Sequence, residues 1–209
     1  MFKLIRKDLL LALSNKFYLI STLLFAPLLL FFMDFQVNEK IIVIIIYGMS
    51  FFLLSLSFYY VDKLKPEVLI QSLPIRKREI VLSKYMLVFL CYLIGVIYVS
   101  ILFKVAEFLG YSITANLNIS IIKITLPLVI IHQSIILPIS FGISDRLANS
   151  IGTGLLVFIN NFYLMHDFER TSRMLLNSSN RFSVALIVIL IFVLSIIVSI
   201  TIYKNKDLP

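Results

Sequence analysis

The sequence predicts an all-α integral membrane protein: an N-terminal interfacial helix, then about six transmembrane helices, with both termini on the inner side. Three observations lead there. Of the 209 residues, 60% are hydrophobic and the mean hydropathy is +1.02, whereas a soluble domain is nearer about 45–50% apolar. Charged residues make up only 14% and bunch between apolar runs. Those runs are continuous, without two-residue alternation, so they fit helices with internally satisfied backbones rather than barrel strands.

The first element is residues 1–16. At 100° per residue, Phe2, Ile5, Leu9, Ala12 and Leu13 fall on one face, and Lys3, Lys7, Asp8, Ser14 and Asn15 on the other, with Leu4 and Leu11 breaking the pattern. Such a helix lies in the headgroup plane with its cations toward anionic lipid. The alternative is a charged extension that anchors the first span. Phe31, Phe32 and Met33 follow the first apolar run where a secretory leader would carry small residues, so the segment is expected to be retained.

Six spans follow: Phe17–Met33, Ile41–Tyr60, Tyr85–Phe103, Ile121–Phe141, Ile151–Met165 and Phe182–Tyr203. Crossing about 30 Å of hydrocarbon takes roughly 20 helical residues. The second, third, fourth and sixth spans meet this, and the first extends back toward Asn15. The fifth, with Gly152, Gly154 and the pair Asn160–Asn161, either crosses tilted, extends back toward Leu147, or is re-entrant.

Orientation follows from the cations. With the N-terminus inside, segments 1–16, 61–84, 142–150 and 204–209 hold 13 of the 19 lysines and arginines, and the outer segments hold 4. Lys104 and Lys123 lie near the outer ends of their spans, and Lys104 is placed to pair with Glu107 one turn on. The net charge of +8 therefore belongs to headgroups, not to nucleic acid. Tyr59, Tyr60, Tyr85 and Tyr203 fall where interfacial tyrosines sit. The short loops leave one membrane domain over 1–209.

The longest polar break, 61–84, contains Arg76, Lys77 and Arg78, which would cost roughly 8–10 kcal/mol at mid-bilayer and so lie outside it. Pro66 and Glu67 suit a helix start. Ser72 suits the cap of a second helix, with Pro74 in its first turn, running through Glu79 and Lys84 into the third span. The apolar run Val68–Leu73, framed by charge, favours docking into a partner's groove over a solvated anchoring loop.

Within the spans, His132 and Gln133 sit between Pro127 and Pro138, and Asn160 and Asn161 lie in the fifth run. A pore-facing role in the substrate path competes with interhelical hydrogen bonding, and the second is favoured for all four. Methionine and phenylalanine clusters such as Phe31–Met33 and Met49–Phe52 fit a hydrophobic or amphipathic cargo, or lipid packing, about equally.

Catalytic constellations are missing. No G-x-x-x-x-G-K-[ST] phosphate loop occurs, no H-E-x-x-H, no G-x-S-x-G and no paired carboxylates within a span. His132 and His166 are too isolated for a metal site, and the single cysteine, Cys91, sits in an apolar run as an inert thiol. No catalytic residue, metal or bound cofactor is expected.

The stretch Pro66–Tyr85, with Ser72-Leu73-Pro74, then Arg76-Lys77-Arg78, Glu79-Ile80-Val81 and Lys84-Tyr85, resembles the cytoplasmic segment of small exporter-type (type-two) ABC transporter permeases. Leu4–Leu9 is similar to that family's start, and in size and style the chain is similar to staphylococcal-type permeases that expel amphipathic toxin peptides. The resemblance implies an elbow helix over 1–16, a coupling loop over 61–84 and short outer helices over 166–181, in a multi-pass protein of the bacterial cytoplasmic membrane. It implies that Glu67, Val68, Leu69, Ile70, Gln71, Ser72 and Leu73, followed by Arg76, seat on a cytoplasmic ABC ATPase. That partner would bind ATP and Mg, and a second permease, identical or a sister chain, would complete the path for a hydrophobic or amphipathic substrate. A self-contained carrier or channel, or a non-transporting sensor or assembly partner, are the rival readings.

Overall fold

The computed structural model describes residues 2–14, 16–32, 38–64, 76–111, 118–143, 145–165 and 178–205. These form seven helices: α1 (Phe2–Ser14), α2 (Lys16–Phe32), α3 (Glu39–Leu64), α4 (Lys77–Phe108), α5 (Ile119–Gly142), α6 (Asp145–Met165) and α7 (Ser178–Asn205). There is no strand among the described residues. Glu39–Leu56 of α3, all of α4 and α5, and Phe182–Asn205 of α7 are long and apolar enough to cross a membrane, and α2 is a shorter apolar helix. Each expected apolar run is helical over its described residues. The fifth, from Asp145, is one uninterrupted helix of 21 residues, about 31 Å long.

The ends follow local chemistry. At α3 the Asn38 carboxamide oxygen accepts the Ile41 N–H at 3.1 Å, as an N-cap does. At α4 the helix stops at Gly110, whose φ of +88° lets its own N–H and that of Tyr111 turn back onto the carbonyls of Glu107 and Ala106. The expected uninterrupted helix from Ser72 is corrected at Arg76, which has extended backbone (φ −71°, ψ 132°) and caps a helix beginning at Lys77. Three successive cations oppose the positive end of the helix dipole, and the start at Lys77 puts Glu79 in the first turn, where its carboxylate offsets them.

The bundle is organised around α3, which packs against α1, α2, α4, α5 and α6. In its membrane segment 67% of residues are buried inside the protein, against 17% for α7. The peripheral helix α7 leans on α5 and α4 and turns Leu186, Ile187, Leu190, Leu194 and Val198 outward, as a lipid-facing surface would.

Because lipid tails are as apolar as leucine, helices here are held by close fit and interhelical hydrogen bonds. The Tyr85 hydroxyl lies 2.5 Å from Ser195 Oγ and 2.8 Å from Ser199 Oγ, and Ser195 Oγ donates to the Ser134 carbonyl at 2.7 Å. This joins α4, α7 and α5. The Tyr92 hydroxyl reaches Thr125 Oγ1 at 2.8 Å, and Tyr98 donates to the Leu23 carbonyl at 2.6 Å. Tyr85 and Tyr203, expected at the interface, are instead 2% and 4% exposed, Tyr203 against the Phe141 ring. Lys104 and Glu107 are both exposed and form no ion pair with each other, in keeping with the roughly 0.2–0.5 kcal/mol that such an exposed pair is worth.

Tyr85→Phe removes one end of the three-helix bond. It should destabilise the solubilised protein by about 1 kcal/mol, read as a lowered thermal midpoint, with Leu109→Ala at the exposed end of α4 as an unaffected control.

Candidate functional site

Two features stand out at one end of the bundle, the end where α1 lies, α2 and α6 begin and α3 finishes. The first is a cavity of about 470 Å³ between α2, α3 and α6. Phe25, Phe51, Phe52 and Leu56 form its apolar floor, and Tyr18, Ser21, Thr22, Ser55, Asn149 and Thr153 supply polar groups around it. Phe52 stands edge-on between Phe25 and Phe51, with centroids 4.9 and 5.6 Å away. Among the described residues no charged side chain lines it. Ser21, Thr22 and Thr153 each donate to the carbonyl four residues earlier in their own helix, at 3.0, 2.8 and 2.8 Å. Their hydrogens are thereby committed, and their lone pairs remain as acceptors.

Directly behind this wall lies His132, 1% exposed. Its Nε2–H donates to the Gly152 carbonyl at 3.1 Å, and its ring sits 5.2 Å from that of Tyr47 and 5.1 Å from that of Phe51. Gly152 permits this contact between α5 and α6: a Cβ there would fall 2.7 Å from both Ile136 Cδ1 and Phe51 Cε2. His132 thus bonds two helices, the arrangement favoured from sequence. Gln133 is also buried, and its Oε1 has no hydrogen-bond partner among the described residues. Asn160 is half-buried, while Asn161 is exposed and donates to the Val157 carbonyl of its own helix. None of these four lines the cavity.

The second feature is an ion pair inside the protein. Asp8 is 2% and Lys84 7% exposed, with Lys84 Nζ 3.0 Å from Asp8 Oδ2 and Lys7 Nζ 3.5 Å from Asp8 Oδ1. Asp8 was expected on the solvated face of the first helix. It shares the buried face of Leu4 and Ile5 instead, because α1 packs on α3 and α4. Lys84 lies two turns into α4, and Lys77, in the first turn, donates to the Lys204 carbonyl of α7 at 3.0 Å. Arg76 is exposed immediately before this segment, whereas Glu67, Val68, Leu69, Ile70, Gln71, Ser72 and Leu73 lie outside the described residues, as do residues 166–177 of the expected outer connection over 166–181, whose last four residues already belong to α7.

The profile of the ABC-2 family transporter protein matches residues 3–204, nearly the whole chain. The chain belongs to the ABC-2 transporter family. That membership makes it a membrane component of a transporter, in keeping with its apolar helices. No curated protein and no solved structure matches the chain. The ABC-2 profile runs from α1 to the end of α7, so the elbow region and the pair Asp8–Lys84 fall within it.

The cavity was not legible in advance, because its walls come from α2, α3 and α6, distant in sequence. The one available signal was the polar set Tyr18, Ser21, Thr22, Ser55 and Thr153 near the ends of apolar runs. Two outcomes test the local physics. Asp8→Asn breaks the buried pair and should cost about 3–5 kcal/mol, whereas the neutral pair Asp8→Asn/Lys84→Met should melt near wild type. Gly152→Ala drives a methyl into Phe51 and Ile136 and should destabilise by about 1–3 kcal/mol, read by the same thermal assay.

Proposed function

We propose that the chain is the permease subunit of an exporter, forming the translocation path and driven by a separate cytoplasmic ATPase. Two permeases, identical or sister chains, stand side by side in the bacterial cytoplasmic membrane. Each crosses six times, through α2 to α7, with both termini inside. The lengths of α2 and α6, 17 and 21 residues or about 26 and 31 Å, support their crossing with the four longer spans. α1 is the elbow at the inner surface, its Lys3 and Arg6 exposed to headgroups. The segment Glu67–Leu73 with Arg76 docks on the ATPase, which binds ATP and Mg on its own residues.

The observation that carries this reading is the cavity within an ABC-2 chain. In the N-inside orientation it opens in the cytoplasmic half, where an exporter loads. An aromatic floor under a rim of acceptors suits an amphipathic cargo that brings its own donors. A peptide does so: apolar side chains pack on Phe25, Phe51 and Phe52, while backbone N–H groups meet Ser21, Thr22 and Thr153. Export of amphipathic peptides of the toxin kind follows as the substrate class. Asn160 and Asn161, two turns beyond Thr153 on α6, extend the same helix toward the outer side.

The decisive step is recruitment. Affinity purification from the native membrane should retain an ATP-binding chain with the wild type and lose it with Leu69→Asp/Leu73→Asp. No ATPase with a folded wild type would count against the reading. Thr153→Phe, which fills the cavity mouth, should abolish peptide export yet leave ATPase recruitment intact. Undiminished export by that variant would remove the cavity from the path.

A further inference from the structure

The base of α4 is held at two points. Lys77 in its first turn bonds the carbonyl of Lys204 near the end of α7, and Lys84, roughly 10 Å farther along the axis, is ion-paired inside the protein with Asp8 of α1. Surface pairs are worth little and are easily exchanged for water. A pair 2% and 7% exposed is different, because separating it leaves charge in a medium that cannot solvate it. The contact therefore resists sliding in a way that an apolar seam between α1 and α4 would not. Between Ser14 and Lys16 only Asn15 separates α1 from α2, and the first two turns of α2 carry Tyr18, Ser21 and Thr22, one wall of the cavity. Residues 65–75 are followed by the extended Arg76 and then by α4.

We propose that the buried Asp8–Lys84 pair is a strut that positions the α2 wall of the cavity relative to the base of α4, so that displacement of that base is passed through α1 to the cavity mouth. Asp8 and Lys84 are positioning residues and touch no substrate. The Lys77 contact to α7 is exposed and readily exchanged for water, so the buried pair is the tie that carries movement of this base to α1. The elbow helix becomes a moving part, where lipid anchoring alone would leave it passive. The inference deepens the permease reading and rests on it for the source of the displacement, residues 67–73. The strut itself is independent of any ATPase.

The test uses the full chain with its co-purifying partners, in vesicles. Its single cysteine, Cys91, is buried, so an introduced Ser21→Cys is the reporter of the cavity mouth and Leu109→Cys, at the far end of α4, is the control. The probe is a small anionic methanethiosulfonate. The neutral pair Asp8→Asn/Lys84→Met removes the strut without stranding a charge. It should change the Ser21→Cys labelling rate about fivefold or more, a typical allosteric coupling, with Leu109→Cys unaltered. Asp8→Glu, which keeps the charge and lengthens the arm by one methylene, should shift it about twofold and serves if the neutral pair does not accumulate. Wild-type labelling at Ser21 in a folded variant would overturn the strut, as would equal changes at both reporters, which a merely structural loosening gives. Trapping with ATP, Mg and vanadate separates the two claims. A chain carrying Ser21→Cys with the strut intact whose labelling ignores trapping contradicts the docking reading, while the nucleotide-free comparison still judges the strut.

Discussion

Hydrocarbon offers a polar side chain no hydrogen bond, and that single constraint organises this bundle. Several polar groups away from the helix ends join helices: Tyr85 with Ser195 and Ser199, Tyr92 with Thr125, Tyr98 with the Leu23 carbonyl, His132 with the Gly152 carbonyl. Since apolar surfaces gain little by leaving lipid for each other, these bonds and the close approach at Gly152 decide which helices neighbour which. The ion pair Asp8–Lys84 extends the same logic to charge, and ties a helix outside the apolar spans to one inside them.

The arrangement separates a rigid part from a more open one. α3, α4, α5 and α7 share most of the buried contacts and the hydroxyl chain. α2 and α6 flank α3 on the other side, and there the packing gives way to a cavity of about 470 Å³. The exposed residues beside it, Ser21, Thr153 and Gly154, include polar and small side chains that a purely lipid-facing surface would not need. Under the proposed permease reading, this is the face that would meet a second permease, with the two cavities opposed. His132 then supports from behind the aromatic wall on which cargo would rest.

Much of the helical layout was legible from the sequence for a physical reason. A span must be apolar over its whole length, so Ile41–Tyr60, Tyr85–Phe103 and their counterparts announce themselves without regard to packing. The same uniformity hides orientation. An apolar stripe marks no preferred face when the opposite face is apolar too, and Tyr85 and Tyr203 were expected at the interface although both are buried. Asp8 was misplaced because a helical wheel assumes that charge faces water, and the Lys84 that neutralises it lies 76 positions away. The fifth span was ambiguous through Gly152 and the asparagine pair. Gly152 proves to be the point where α6 meets His132, and Asn161 satisfies itself on its own helix.

Native mass spectrometry of the affinity-purified chain, released from its own membrane in mild detergent, bears most directly on the central claim. The account predicts an assembly containing two permeases and two ATP-binding subunits, which collapses to permease alone when the ATPase gene is deleted. A single chain, or an oligomer of this chain alone that still moves peptide across vesicles, would contradict it.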